Sequence, residues 1–304
     1  MSPAGPVISV VLPFHDEEPY LRGAIESVRA QEVGVEWELI LVDDGSSDAS
    51  HHIAVREADR DERIRLLRHR SGTNEGIAAS RNLGLDHARG RYVCPLDADD
   101  RWEPDKLARQ LRLLEGRPEV VLACGPARYL HQSDGTTEVR QVTPSAPTTM
   151  AGTTFARRVL CGGINPPTPS AVMFRADAMR SAGGVPSGPD LNEDRRTWVA
   201  LCLGGRVAID DRVTVHYTVR SDSVYGRLRG DPVARRTLRR AMYRWAGPYL
   251  ARRGWRGWVV LATAGLRLGT NRLRTTPRRI RRRFGRPATY DGHRLHSSGS
   301  SSHG

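Results

Sequence analysis

Short, nearly all-apolar runs alternate with segments of helical spacing through the first part of the chain. Residues 7–13 (Val-Ile-Ser-Val-Val-Leu-Pro) predict a central strand, apolar on both faces as in a sheet covered from either side. Behind it, Leu21, Ile25 and Val28 recur at helical spacing, with Pro19 suited to a first turn. Residues 39–42 predict a second strand. Strand, helix, strand in this order is a βαβ unit, so the two strands should run parallel with their carboxyl ends at one edge. A third strand near 65–67 and a fourth at 92–96 extend the pattern, and Pro104 opens a further helix. The predicted class is α/β, a mixed, mainly parallel sheet flanked by helices.

Polar residues gather where these strands end. The first runs into Phe14, His15, Asp16, Glu17 and Glu18, and the second into Asp43, Asp44, Gly45, Ser46, Ser47 and Asp48. Asn74, Gly76, Arg81, Asn82 and Gly84 follow the third. The fourth delivers three carboxylates within four positions: Asp97, Asp99 and Asp100. Ligands of open α/β sheets bind at that edge, and clustered carboxylate oxygens suit Mg²⁺ or Mn²⁺ bridging phosphates. Acidic helix caps and Asx turns give the same residue types a purely structural use. The convergence of four strand ends is what predicts a site.

In this order, Val-Val-Leu-Pro, Val-Asp-Asp-Gly-Ser, Asn-x-Gly, Arg-Asn-x-Gly and Leu-Asp-Ala-Asp-Asp resemble the family 2 glycosyltransferases of the GT-A fold, over roughly residues 7–225. The resemblance implies a nucleotide-sugar donor (UDP-, GDP- or dTDP-sugar), a divalent metal, Mg²⁺ or Mn²⁺, and transfer with inversion at the anomeric carbon. It implies that Pro13 and Glu17 approach the nucleotide and that Asp44, with Asp43 beside it, binds the base. An acidic side chain beyond a strand end can accept from a base N–H or a ribose hydroxyl. Arg81 matches a position near the donor phosphates, where a guanidinium can grip oxygens in a fork. Asp97 and Asp99 fall on the DxD motif, Asp99 for direct metal contact and Asp97 for the metal, ribose or sugar.

Farther along, 155–160 and 170–174 carry helix-like and strand-like pieces, Ser133-Asp134-Gly135 suggest a hairpin, and Gly183-Gly184 a turn. The segment from Asn192 through Glu193, Asp194 and Trp198 resembles the family's Glu-Asp helix opening, which makes Asp194 the general base. An acceptor hydroxyl is a poor nucleophile until a positioned carboxylate takes its proton. Two departures from the family pattern stand out. His15 and Asp16 replace a Tyr-Asn pair, and Tyr217-Thr218-Val219-Arg220 lacks the usual Arg and His. Arg220, at the His position, can clamp a diphosphate but cannot ligate a metal; His216 lies too early and reads as a packed or surface histidine.

Composition refines the picture. The 304 residues accommodate a GT-A domain at 1–226, with a nucleotide half at 7–124 and an acceptor half at 125–226. Cys94, Cys124, Cys161 and Cys202 show no close pairing, which suits reduced thiols rather than zinc or disulfides. No secretory signal pattern and no long apolar run is visible, so a cytoplasmic enzyme is expected. Mean hydropathy is −0.49 and net charge +13, but residues 227–286 hold 19 arginines against Asp231 alone, leaving about −5 for the remainder. That stretch predicts a basic helical extension carrying Met242, Trp245, Tyr249, Trp255 and Trp258. Two uses fit it: packing on the catalytic domain with a solvated arginine face, or contact with an anionic membrane at its inner face. Membrane contact would suit a lipid-linked acceptor, although a sugar or small-molecule acceptor is equally compatible. The Ser-, Gly- and His-rich 287–304 reads as disordered.

Two other function classes fit less well. Nucleic-acid binding through the arginines leaves the strand-end motifs unexplained. A sugar-nucleotide nucleotidyltransferase opens with a Gly-rich loop and a lysine, whereas Lys106 is the single lysine here.

Overall fold

The computed structural model describes residues 5–187, 193–220 and 231–265. Asn192, the residues beyond Arg220 in the family-like Tyr217 segment, and the 287–304 tail lie outside them. In chain order the elements are β1 (Ile8–Phe14), α1 (Glu18–Arg29), β2 (Trp37–Asp43), α2 (Ser50–Arg60), β3 (Ile64–Arg68), α3 (Ile77–His87) and β4 (Tyr92–Pro95). Next come β5 (Arg101–Trp102), α4 (Lys106–Leu114), β6 (Val120–Cys124), β7 (Ala127–His131), β8 (Thr137–Arg140), β9 (Thr148–Ala151) and α5 (Gly152–Cys161). The remainder are β10 (Val172–Arg175), α6 (Ala176–Ala182), α7 (Glu193–Cys202), β11 (Arg206–Ile209), β12 (Val215–Val219), α8 (Pro232–Ala251) and α9 (Gly254–Ala264).

Eight strands form the main sheet in the order β3-β2-β1-β4-β10-β6-β11-β9. β1 is parallel to β2 and β4, and β2 to β3, so their carboxyl ends share one edge as expected. β10 runs antiparallel between β4 and β6, which inserts a strand from the later part of the chain between two strands of the first 124 residues. A second sheet, β5-β12-β7-β8, contains the expected hairpin around Asp134.

Alternation along β1 sends Val11 to one face and Ile8, Val10 and Leu12 to the other, and helices cover both. One core gathers α1, α2, α4 and the second sheet. The other gathers α3, α5, α7, α8 and α9. Gly84 is required where α3 lies on β1, since a Cβ there would stand 2.2 Å from Val11 Cγ1.

The basic extension packs on the second of these cores. Met242, Ala246 and Leu250 form an i, i+4, i+8 stripe on α8, and Gly257, Val260 and Leu261, at i, i+3 and i+4, form the inner side of α9; all are buried. Gly257 lets the two helices touch, because a Cβ would meet Leu250 O at 1.9 Å. Lys106 lies wholly buried, with Nζ 3.7 Å from the Trp102 ring centroid and donating to Val172 O at 3.1 Å. Burial lowers its pKa to about 8.

Candidate active site

The loops after β1 and β2 are knitted together by side chains. Asp16 adopts φ 53°, in the left-handed region that short polar residues tolerate, and accepts from Ser47 N at 2.7 Å and Asp48 N at 3.2 Å. Asp43 is fully buried: Oδ1 accepts from Ser46 N at 2.8 Å, and Oδ2 lies 2.8 Å from His51 Nδ1. Its carboxylate therefore holds the turn. Asp44 accepts from Glu75 N at 2.7 Å and Gly76 N at 3.0 Å, tying the end of β2 to the loop that opens α3. Pro13 is buried within β1, in register with Val42.

At the end of β4 two arginines alternate with four carboxylates. Arg81, 8% exposed on α3, donates through Nη2 to Asp97 Oδ1 at 2.6 Å and through Nη1 to Asp194 Oδ1 at 2.8 Å. Arg220 follows β12; its Nη1 lies 2.7 Å from Glu17 Oε2 and 3.7 Å from Asp99 Oδ2, and its guanidinium sits 5.1 Å from the Tyr20 ring centroid. The structure thus brings Glu17, Arg81, Asp97, Asp99, Asp194 and Arg220 into two linked ion-paired groups, with Asp43 and Asp44 at the neighbouring strand end. His216 is apart from them, its Nε2 2.6 Å from Glu103 Oε1.

Crowding of like charge has an electrostatic consequence. Burial, then Asp97 and Glu17, push the Asp99 carboxyl up to about 7 against the pull of Arg220. Asp194 opens α7 and keeps 36% of its side-chain surface. Desolvation raises its pKa to about 6, Arg81 opposing and Glu193 and Asp97 assisting. Arg81 and Asp194 also border a small, mainly apolar hollow, partly open to solvent, that is lined by Val11, Leu85, Val93, Phe174 and Trp198.

Sequence reasoning did not find the brace behind the aspartates. Asp100 is 1% exposed; Oδ2 accepts from Ser170 Oγ at 2.5 Å and Oδ1 from Thr218 N at 2.9 Å. Ser170 Oγ also accepts from Asp97 N at 3.1 Å, Trp102 Nε1 donates to Ser170 O at 2.9 Å, and Thr218 Oγ1 donates to Asp99 O. These bonds fix the Asp97–Asp99 loop from behind. Only the third aspartate of the motif hinted at them.

A divalent cation would meet a donor set of hard carboxylate oxygens here. Asp97 and Asp99 supply hard oxygens, and Glu17 adds negative charge nearby. Among the described residues no group of three or more His, Cys, Asp or Glu forms a complete cage. Two carboxylates completed by substrate phosphates and water is the usual way proteins hold Mg²⁺, so the residues fit.

The chain is 38% identical over 112 residues to TuaG of Bacillus subtilis, a protein named for teichuronic acid biosynthesis, covering 37% of this chain and 43% of that one. It is 34% identical over 188 residues to EpsE of the same organism, named as a glycosyltransferase, covering 60% and 62%. The chain thus spans less than two thirds of these relatives' lengths. Among solved structures, TarS 1–349 of S. aureus in complex with UDP-GlcNAc superposes with a TM-score of 0.63 at 18% identity, covering 80% of this chain and 65% of that one. The mannosyltransferase PcManGT of Pyrobaculum calidifontis, in complex with GDP-Man and Mn²⁺, gives 0.55 at 18%, covering 86% and 75%. These likenesses establish the GT-A fold. The family model for glycosyl transferase family 2 matches residues 9–182, more than half of the chain. The chain belongs to glycosyl transferase family 2.

Proposed function

We propose that the enzyme moves a sugar from a nucleotide-sugar donor to an acceptor hydroxyl in a single displacement with inversion. The observation that carries this reading is the Asp97–Arg81–Asp194 bridge. It sets a carboxylate of raised pKa, Asp194, within one guanidinium of the aspartate pair at the end of β4. Asp44 and Glu17 receive the nucleoside, and Arg81 and Arg220 bear on the donor's diphosphate and sugar. Asp97 and Asp99 would hold Mg²⁺ or Mn²⁺, which supplies charge neutralisation to the diphosphate. Asp194 takes the acceptor's proton as the new glycosidic bond forms and the nucleoside diphosphate departs. In that same step the hydroxyl attacks from the face opposite the leaving group, which inverts the anomeric carbon.

Neighbouring structures hold UDP-GlcNAc and GDP-Man, which supports a UDP- or GDP-sugar donor here. A sugar or lipid-linked hydroxyl is the acceptor class. A thermal-shift panel of nucleotide sugars with and without Mn²⁺ tests the donor assignment. Metal-dependent stabilisation by one of them is the expected result. A panel without response, with or without metal, would refute it.

A further inference from the structure

We propose that the outer face of α9 docks this enzyme on an anionic lipid bilayer. Amphipathic surface helices are apolar on one side only; α9 is apolar on both. Its inner stripe of Gly257, Val260 and Leu261 is buried against α5 and α8. Its outer positions, Trp255, Trp258, Val259, Ala262 and Thr263, follow i, i+3, i+4, i+7, i+8, and all are exposed. Trp255 keeps 70% of its surface, Trp258 51% and Val259 40%. Seven large apolar side chains are exposed among the described residues, and three of them fall within these five positions. Thr263 does not break the stripe, since its hydroxyl donates back to Val259 O at 2.6 Å.

The helix is held so that this stripe faces outward. Arg256 Nη1 donates to Leu203 O at 2.9 Å and Gly204 O at 3.1 Å, and Arg253 Nη2 donates to Ala182 O at 3.0 Å. Turning the tryptophans inward would break these bonds and expose Val260 and Leu261 instead.

Charge selects the occupant. Residues 231–265 contain eight arginines and one acid, Asp231, a net of +7. Arg236, Arg239, Arg240, Arg244, Arg252, Arg253 and Arg256 are all exposed. Residues 266–286 continue the sequence with further arginines and no acid. A second copy of the chain would bring two such basic surfaces together, which like-charge repulsion opposes. Tryptophan among arginines suits the headgroup layer of an anionic bilayer. There the indoles sit at the acyl boundary and each guanidinium near the surface adds attraction.

The test is flotation of the full chain with phosphatidylcholine vesicles, with and without about 30 mol% phosphatidylglycerol. The wild type should float with the anionic vesicles only, and should be released at about 0.5 M salt. The Trp255→Ser/Trp258→Ser variant should lose about tenfold or more in partitioning while keeping its melting temperature, because both rings are exposed. Equal flotation of variant and wild type would overturn the proposal. So would binding of duplex DNA without vesicle binding, or a wild-type dimer that the double substitution dissociates without any lipid binding. The donor-induced thermal shift, measured on the same samples, keeps failure of this surface distinct from failure of the transfer reading.

Discussion

Replacing Asp194 with asparagine separates what the carboxylate does for chemistry from what it costs the fold. Its pKa is raised from the ordinary 3.8 to about 6, so the folded chain keeps a proton that the unfolded chain has released. Stability tied to this group is therefore fully present below about pH 3.8 and is lost as pH rises to about 6. A displacement of that size corresponds to about 3 kcal/mol for a group withdrawn from water. Asp194 keeps 36% of its side-chain surface, and solvent screening reduces the expected effect to about 1 kcal/mol. The amide oxygen of the substituted side chain would still accept from Arg81 without carrying charge. Asp194→Asn should therefore melt about 2–4 °C above wild type at pH 8, and the gap should shrink as pH falls through about 6 and close only near the ordinary carboxyl value of 3.8. Differential scanning fluorimetry across pH reads this without any substrate. A variant that melts below wild type at pH 8, by a margin independent of pH, would show that the Arg81 pair outweighs desolvation and that the reasoning is wrong. In transfer assays the same variant should bind donor normally and form no product.

Other substitutions probe neighbouring parts. The acid limb of wild-type kcat/KM should fall below about pH 6 as Asp194 takes up its proton; a flat profile down to pH 4.5 would exclude it as base. Asp99→Ala should abolish Mn²⁺-dependent donor binding by calorimetry, whereas metal-dependent binding that persists would remove Asp99 from the metal site. Ser170→Ala leaves the buried Asp100 carboxylate and Asp97 N each short of one partner; a stability loss of about 1–3 kcal/mol is expected in denaturant titration. Gly84→Ala should cost about 1–3 kcal/mol by overpacking against Val11, and adding Val11→Ala should recover part of it. If the second change only adds to the loss, the clash is not the cause.

The first part of the chain was legible because its signals are local. β1, β2 and β4 are apolar runs, each followed within a few residues by its polar cargo, and Pro19 announces α1. The later part carries less information per element. β9, β11 and β12 are only four or five residues long, and their partners lie far away in sequence, so no period shows. The same holds for the site. The Asp97–Asp99 motif is contiguous, but the brace behind it joins Asp100 to Ser170 and Thr218 across 70 and 118 positions. Arg81 read as a phosphate fork; its two carboxylate partners, 16 and 113 residues away, became visible only in the folded chain. The extension illustrates a different point. Packing on the domain and presenting tryptophan outward looked like alternatives along the sequence, yet α9 is apolar enough to do the first with one face and leave the other uncovered.

Entombment of Lys106 has a practical corollary. It is the single lysine among 47 basic side chains, and it is 0% exposed beneath Trp102. Apart from a terminal amine, the native chain offers no primary amine to succinimidyl esters, aldehyde fixatives or acetylating reagents. Coupling at Lys106 would instead report that the chain has opened, giving a chemical gauge of unfolding confined to one position where α4 meets the sheet.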